Sequence, residues 1–211
     1  MSQLAALTRY RTLFPSLPLM LLLFPLAAQQ SPARRTQTFS WNWRASEELE
    51  SGQNAGAESK TLSTTDAAAL IAALTRRFKS DPNPIKRAEQ TRIKFVDLNG
   101  DGVAEVIAQP IGSDLCGAVG NCRFWVFQRA DSGYRLILTG MAQTFTVQRS
   151  RTNGYSDLVL ALHDSATEQE LLVYRFGAGQ YRRTTCYDAS WTASINSEVR
   201  LKEPLITPCA R

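Results

Sequence analysis

The chain has 211 residues, of which 44% are hydrophobic and 20% charged, with 12 glycines and 9 prolines. That is the composition of an ordinary globular protein, long enough for one medium domain or two small ones, and it excludes a wholly disordered, collagenous or multi-span membrane chain. Lys plus Arg exceed Asp plus Glu by 24 to 19, an excess too small and too scattered to point to nucleic acid.

Residues 1–28 read as a secretory signal. Arg9 and Arg11 supply a positive start, Leu17 to Leu26 (LPLMLLLFPL) form a short apolar run, and Ala27-Ala28 offer a small-residue cleavage site before Gln29. The run is well short of the ~20 residues of a permanent span. An uncleaved anchor is the alternative, kept open by Pro25 and by Leu26 where a small residue is wanted. No Cys follows the run, which excludes lipid attachment there. Loss of Arg9 and Arg11 leaves 22 positive against 19 negative side chains, a net +3. The expected location is periplasmic or extracellular, with no permanent membrane span after cleavage.

Residues 29–60 are rich in Ser, Gln, Ala, Gly and charge and lack apolar periodicity, so they are expected to be a flexible leader. Trp41 and Trp43 are the exceptions. Residues 61–211 are expected to form the folded part, beginning with a helix. Ser63 and Thr64 precede Asp66, an N-cap followed by an acidic first turn. Leu70, Ile71, Leu74 and Phe78 recur at helical spacing, Arg76, Arg77 and Lys79 suit the last turn, and Asp81-Pro82-Asn83-Pro84 stop the helix.

Beyond Pro84 the pattern changes to short runs rich in Val, Ile, Phe, Tyr, Trp and Thr, broken by Gly, Asn and Asp. Strands are expected near 91–97, 103–109, 123–129, 134–139, 144–149, 157–162, 170–176 and 181–187. Residues 157–162 are apolar almost throughout, as in a central strand. Residues 102–108 match residues 154–160 at an offset of 52, while Val126-Phe127 matches Val173-Tyr174 and Tyr134-Arg135 matches Tyr181-Arg182 at an offset of 47. The sequence thus predicts a mainly β (α+β) protein. Its antiparallel sheet would consist of two imperfect four-stranded repeats, about 91–140 and 144–188, with one N-terminal amphipathic helix packed on it. Chance likeness between generic strand–turn patterns is the alternative.

Asp97-Leu98-Asn99-Gly100-Asp101-Gly102-Val103-Ala104-Glu105 is the stretch richest in chemistry. Oxygen side chains stand at positions 1, 3, 5 and 9, with Gly at 6 for a sharp turn, the pattern a hard cation such as calcium requires. The expected ligands are Asp97, Asn99, Asp101, the Val103 carbonyl and Glu105. An EF-hand would need a bidentate Glu at position 12, where Ala108 stands, so a strand–loop–strand site is expected instead. An Asx-rich turn without an ion is the alternative.

This stretch resembles the calcium loops of the FG-GAP/VCBS-like exported repeat modules, whose pattern is D-x-D/N-x-D-G-x-x-D before an apolar strand. Glu105 departs from the final Asp. The matching loop of the second copy has Arg149, Arg151 and Asn153 where the first has Asp97, Asn99 and Asp101. The resemblance implies a module type with a structural calcium, and no activity.

Four Cys in an exported chain suggest two disulfides. The near neighbours Cys116 and Cys122 favour a local bridge, leaving Cys186 with Cys209; a four-thiolate zinc site lacks the usual C-x₂₋₄-C pairs. His163 is the only histidine, and neither paired catalytic carboxylates nor a phosphate-cradling loop is found. The expected function is a non-enzymatic, calcium-stabilised binding or adhesion-like module, with an unknown envelope protein or glycan as partner. A secreted enzyme inhibitor using the Cys116–Cys122 loop, and a hydrolase using His163, are the rivals. Trp125 and Trp191 are candidate contacts whose ordinary role is core packing.

Overall fold

The computed structural model describes residues 46–47, 53–54, 62–192 and 200–210, all within the unit formed by residues 40–211. The expected signal and most of the expected leader, with Trp41 and Trp43, lie outside the described residues. Two short strands do fall in the leader: β1 (Ser46–Glu47) and β2 (Gln53–Asn54).

Helix α1 (Thr64–Thr75) starts at Ser63, whose side chain accepts the Asp66 N–H at 3.2 Å and so satisfies one free amide of the first turn. It ends earlier than the apolar spacing predicts. The Arg77 and Phe78 amides reach back three residues, to the Leu74 and Thr75 carbonyls, and this tightened turn folds Phe78 back onto the body of the protein. Arg76, Arg77 and Lys79 therefore lie past the helix instead of in its last turn. The proline-rich stretch that stops α1 also opens an unforeseen helix, α2 (Pro84–Gln90). Pro84 suits the first helical position because its missing N–H has no partner there anyway.

Nine longer strands follow: β3 (Arg92–Val96), β4 (Glu105–Gln109), β5 (Cys122–Ala130), β6 (Gly133–Ala142), β7 (Thr144–Thr152), β8 (Tyr155–Ser165), β9 (Glu168–Gly177), β10 (Gln180–Thr192) and β11 (Arg200–Pro208). The expected strands are all present, most of them longer than predicted, and β11 was not foreseen. They form two antiparallel sheets, in the orders β2-β3-β4-β5-β6 and β1-β7-β8-β9-β10-β11. Gln143 alone joins β6 to β7 and carries the chain from one sheet to the other.

The two meanders have the same register. In the first sheet Ile93 pairs with Ala108 and Ala108 with Trp125; in the second, Phe145 pairs with Leu160 and Leu160 with Leu172. These residues are related by the offsets 52 and 47 noted in the sequence. The β5–β6 ladder shifts as Val126 pairs with Leu138 and Phe127 with Leu136, and the β9–β10 ladder shifts at the same place, with Val173 on Thr185 and Tyr174 on Arg183. In each ladder the shift bends both strands locally.

One buried cluster joins the sheets face to face: Leu98, Ile107, Phe124, Val126 and Ile137 from the β3–β6 segment meet Phe145, Leu158, Leu160, Leu172 and Tyr181 from the β7–β10 segment. A second cluster on the opposite face of the first sheet joins Leu70, Leu74 and Phe78 to Ile93, Val106, Trp125 and Phe127. Every residue of β4 is buried, as a strand covered on both faces must be. Among the described residues no helix is long and apolar enough to cross a membrane.

Phe78 meets Trp125 edge-to-face, with ring centroids 5.4 Å apart. Phe78→Ala should lower the unfolding free energy by about 3–5 kcal/mol, read from urea melts. The Trp125 emission should shift to the red, because the ring that seals it is gone.

Candidate functional site

The segment between β3 and β4 is a loop closed on itself. Asp97 Oδ1 accepts the Gly100 N–H at 2.6 Å and its Oδ2 accepts the Gly102 N–H at 3.0 Å. Asn99 Oδ1 accepts the Asp101 N–H, and Asp101 Oδ1 accepts the Val103 N–H. Gly100 and Gly102 have φ of +78° and +82°, backbone that glycine adopts without strain. The two amides on Asp97 hold its carboxyl below the usual carboxylate range.

Leu98 anchors this loop by inserting, fully buried, between the two sheets. Its N–H donates to Glu105 Oε2 at 2.8 Å, and its carbonyl accepts the Ser156 N–H at 2.7 Å. Glu105 is 1% exposed, and Gln128 donates to its other oxygen at 3.3 Å. Burial raises its pKa first, the Leu98 amide opposes that, and the charge of Asp101 adds to it. Gln128 also donates to the Tyr155 hydroxyl, which takes a bond from Asn99 Nδ2 at 3.3 Å. Tyr155 in turn stacks on Phe176 at 3.7 Å. Nearby, burial pushes the Tyr181 hydroxyl far above its ordinary pKa, and that hydroxyl donates to the Ser156 carbonyl at 2.8 Å.

Between β7 and β8 the chain makes no such loop. Asn153 and Gly154 form a tight hairpin turn with φ of 52° and 85°, the backbone an Asn-Gly turn favours. Arg151, at the position matching Asn99, crosses to the first loop and donates to the Asn99 carbonyl at 3.0 Å. A Cβ on Gly100 would stand 2.9 Å from that guanidinium, so Gly100 makes room for the arginine as well as for the turn.

Asp97, Asn99, Asp101 and Val103 are thus brought together on one exposed or partly exposed loop, while Glu105 is withdrawn into the interior. The donor chemistry of the first four suits a hard cation. Glu105 differs from them in being 1% exposed, with its oxygens turned to Leu98 and Gln128 beneath the loop. Among the described residues, the one trio of metal-type side chains whose ligand atoms lie within 4.8 Å of one another is Glu170, Cys186 and Cys209. Those two cysteines are bonded to each other, so they offer no thiolates.

A second feature lies at the far end of the molecule. The Cys116–Cys122 disulfide closes a small loop, stiffened by the Gly117 N–H on the Asn121 carbonyl and the Gly120 N–H on the Gly117 carbonyl, at 2.7 and 2.9 Å. Val119 in this loop is 47% exposed. Asn121 clamps the loop to β8: its Nδ2 donates to the His163 carbonyl at 2.8 Å and its Oδ1 accepts the His163 N–H at 2.7 Å. Beside this clamp opens a cleft of about 770 Å³, lined by Asp164, Glu168, Glu170 and Asp188, with Leu162 and Leu205. A smaller cavity of about 310 Å³ adjoins it, with Trp191 and Arg200 in its wall.

His163, Asp188 and Ser190 share the larger cleft. The Ser190 hydroxyl, however, donates to the Thr192 carbonyl at 3.0 Å, so no nucleophile–base pair is formed there among the described residues. Asp157 is elsewhere, accepting from Ser150 at 2.9 Å and facing Arg175. Trp125 is 2% exposed and belongs to the core. Sequence reasoning did not find Asn121, Gln128, Tyr155 or the reach of Arg151, since each acts across 20 residues or more. Asn121 had a faint signal as the one amide beside the second cysteine of the loop.

Because the fold raises the Glu105 pKa, the native state holds that proton more tightly than the unfolded chain does. This group therefore favours the fold below the unfolded carboxyl pKa, and that contribution is lost as pH rises through the folded value. The melting temperature of Glu105→Gln minus that of the parent should rise between pH 4 and pH 7; a flat difference would show that Glu105 is not desolvated. Comparison of the chain with protein-family models, with curated proteins and with solved structures finds no match, so its function rests on this geometry.

Proposed function

We propose that the chain is an exported, non-enzymatic binding module of adhesion-like type, built from two copies of one four-stranded unit stacked face to face, one of them packed against the helices. The common register and the shared bulge support the reading of two copies, since independent meanders have no reason to agree residue by residue. The functional reading rests on the Asn121 clamp. Two hydrogen bonds and a disulfide fix the rim of the acidic cleft, and a rim ordered before binding costs less entropy when a ligand arrives. Four carboxylates beside Leu162 and Leu205 suit a Lys- or Arg-bearing segment of an envelope protein better than a neutral glycan, and they repel nucleic acid. The site of action is the periplasm or the cell exterior.

One observation favours a second reading, an enzyme inhibitor: Val119 stands exposed in a loop already locked by its disulfide. The two readings separate in one experiment. Retention of the protein on washed cell-envelope material should fall several-fold in the Glu170→Gln/Asp188→Asn variant and should weaken with salt, as a charged contact does. Val119→Asp should leave it unchanged, and His163→Ala likewise. Loss with Val119→Asp alone would favour the inhibitor; indifference to both would sink the cleft.

Calcium enters this proposal as a stabiliser of the first loop, taken by Asp97, Asn99, Asp101 and the Val103 carbonyl without Glu105. Sites of this kind in extracellular modules bind with Kd of roughly 10⁻⁴–10⁻³ M. At about ten times Kd, linkage contributes about 1.4 kcal/mol, or about 3–6 °C in melting temperature for a domain of about 150 residues. Asp101→Ala should abolish the shift and Glu105→Gln should keep it. A melting temperature indifferent to millimolar calcium and to chelator would leave the loop a turn closed by its own amides and by Arg151.

A further inference from the structure

Strands β9, β10 and β11 bring sulfur and oxygen to one place. Cys186 on β10 pairs with Leu172 on β9, and Asp188 with Glu170. One step beyond the Tyr187–Pro208 pair of the β10–β11 ladder, the Cys209 N–H donates to the Cys186 carbonyl at 3.3 Å. Because side chains alternate along a strand, Asp188 and Glu170 share the face of the sheet that Cys186 and Leu172 turn to the core. The Glu170 carboxylate and the two sulfurs lie within 4.8 Å of one another, and all three residues are partly buried. Glu170 Oε1 is 3.8 Å from Cys209 Sγ. Among the described residues this is the one such trio, so no carboxylate stands by the Cys116–Cys122 bridge in the same way. While Cys186 and Cys209 are bonded to each other, their sulfurs have no proton to offer the carboxylate that faces them.

We propose that Cys186, Cys209 and Glu170 form a zinc site when this bridge is reduced, with water in the fourth position. Exchange with an external dithiol breaks the Sγ–Sγ bond: the dithiol gives up two hydrogens and becomes a disulfide, and Cys186 and Cys209 become thiols. Zinc then displaces both thiol protons to solvent, and one dication holds three anionic groups that repel one another without it. Tetrahedral zinc places a sulfur and an oxygen ligand about 3.6 Å apart and two sulfurs about 3.8 Å apart. The Cys209–Glu170 distance is already close to that, and the sulfurs have only to part from a bond to a contact. Asp188, opposite Glu170 in the ladder, adds negative charge beside the ion. Thiolates select zinc over calcium or magnesium, which take oxygen ligands. Glu170 and Asp188 line the larger cleft, which gives dithiol and ion a path from solvent. The inference stands apart from the partner proposed for that cleft. It gives this corner of the sheet two states, a bridge in oxidising surroundings and a metal site in reducing ones.

Cobalt reports such a site, since thiolate on Co²⁺ gives a charge-transfer band in the near ultraviolet and tetrahedral ligands give strong visible bands. The exported, purified chain, reduced with dithiothreitol and desalted without air, should take up one Co²⁺ with both signatures and release it to one equivalent of Zn²⁺. The oxidised chain should show neither. Zinc should shield Cys186 and Cys209 from alkylation and leave Cys116 and Cys122 open. Glu170→Gln should weaken zinc at least about tenfold, the cost of losing even an indirect partner of a metal. Cys186→Ser/Cys209→Ser should remove the signature and Cys116→Ser/Cys122→Ser should keep it; should the latter fail to fold, the alkylation pattern of the parent decides by itself. Zinc affinity unchanged by Glu170→Gln, shielding of Cys116 and Cys122 instead, or uptake as tight in urea as in buffer would overturn the proposal. So would a reduced chain that unfolds and takes no metal.

Discussion

The fold depends on one constraint: an antiparallel sheet with apolar side chains on both faces has to be covered twice. The first sheet meets this with α1 and Phe78 on one side and the second sheet on the other. Its strand β4, buried at all five positions, is the element that neither cover can leave. Its two covers are made independently. The helix side is assembled from residues before β3 and the sheet side from residues after β6, and the single residue Gln143 between β6 and β7 folds one unit onto the other. The short link is itself held, with the Gln143 N–H on the Ala161 carbonyl at 2.8 Å.

The same packing explains the divergence of the two β-hairpin ends. In the first unit the chain between β3 and β4 bulges into a loop, and Leu98 from that loop fills the space between the sheets. β7 and β8 instead continue to an Asn-Gly turn. The acids at the start of the two inner strands share this logic. Glu105 and Asp157 occupy matching positions and both are buried, and each is held from its own unit: Glu105 by Leu98 and Gln128, Asp157 by Ser150 and Arg175. Leu98 and Ser150, and Gln128 and Arg175, are again related by 52 and 47. At both places a buried acid meets different donors, an amide pair in one and a hydroxyl and a guanidinium in the other, as a buried charge demands some donor without fixing which.

Much of this was legible because strand period and turn residues are local signals. Ile93 and Phe95 alternate with Arg92 and Lys94, and the apolar run at 157–162 does lie inside a sheet. Both cysteine pairs are bonded. What escaped was decided by tertiary contact. Strand β11 carries Pro204 and Pro208 and is largely exposed, so it reads as coil; it survives because it is an edge strand, where a missing N–H costs little. Helix α2 was hidden by the prolines that end α1. The strands β1 and β2 are two residues each and owe their form to β7 and β3. Spacing put Glu105 with the loop carboxylates, whereas burial put it with Leu98; nothing in a nine-residue pattern says which side of the chain is interior.

The two ends of the molecule now differ in kind. At the end with the first loop, the hydrogen bonds of Arg151, Tyr155 and Ser156 tie unit to unit, and the polar atoms are turned on one another. At the end with the disulfide loop, the Asn121 side chain holds the backbone of His163 on β8. The carboxylates of Glu168, Glu170 and Asp188 are left lining open space beyond it. The Asp188–Glu170 and Ser190–Glu168 pairs in the β9–β10 register place acids directly opposite polar neighbours, and like charges across a ladder are destabilising. A second sheet that needed only to cover the first would not gather acids there, beyond the reach of the first sheet's core. The acids gathered around this open cleft carry an electrostatic cost, which is why the end with the cleft, more than the loop with the motif, carries the functional reading.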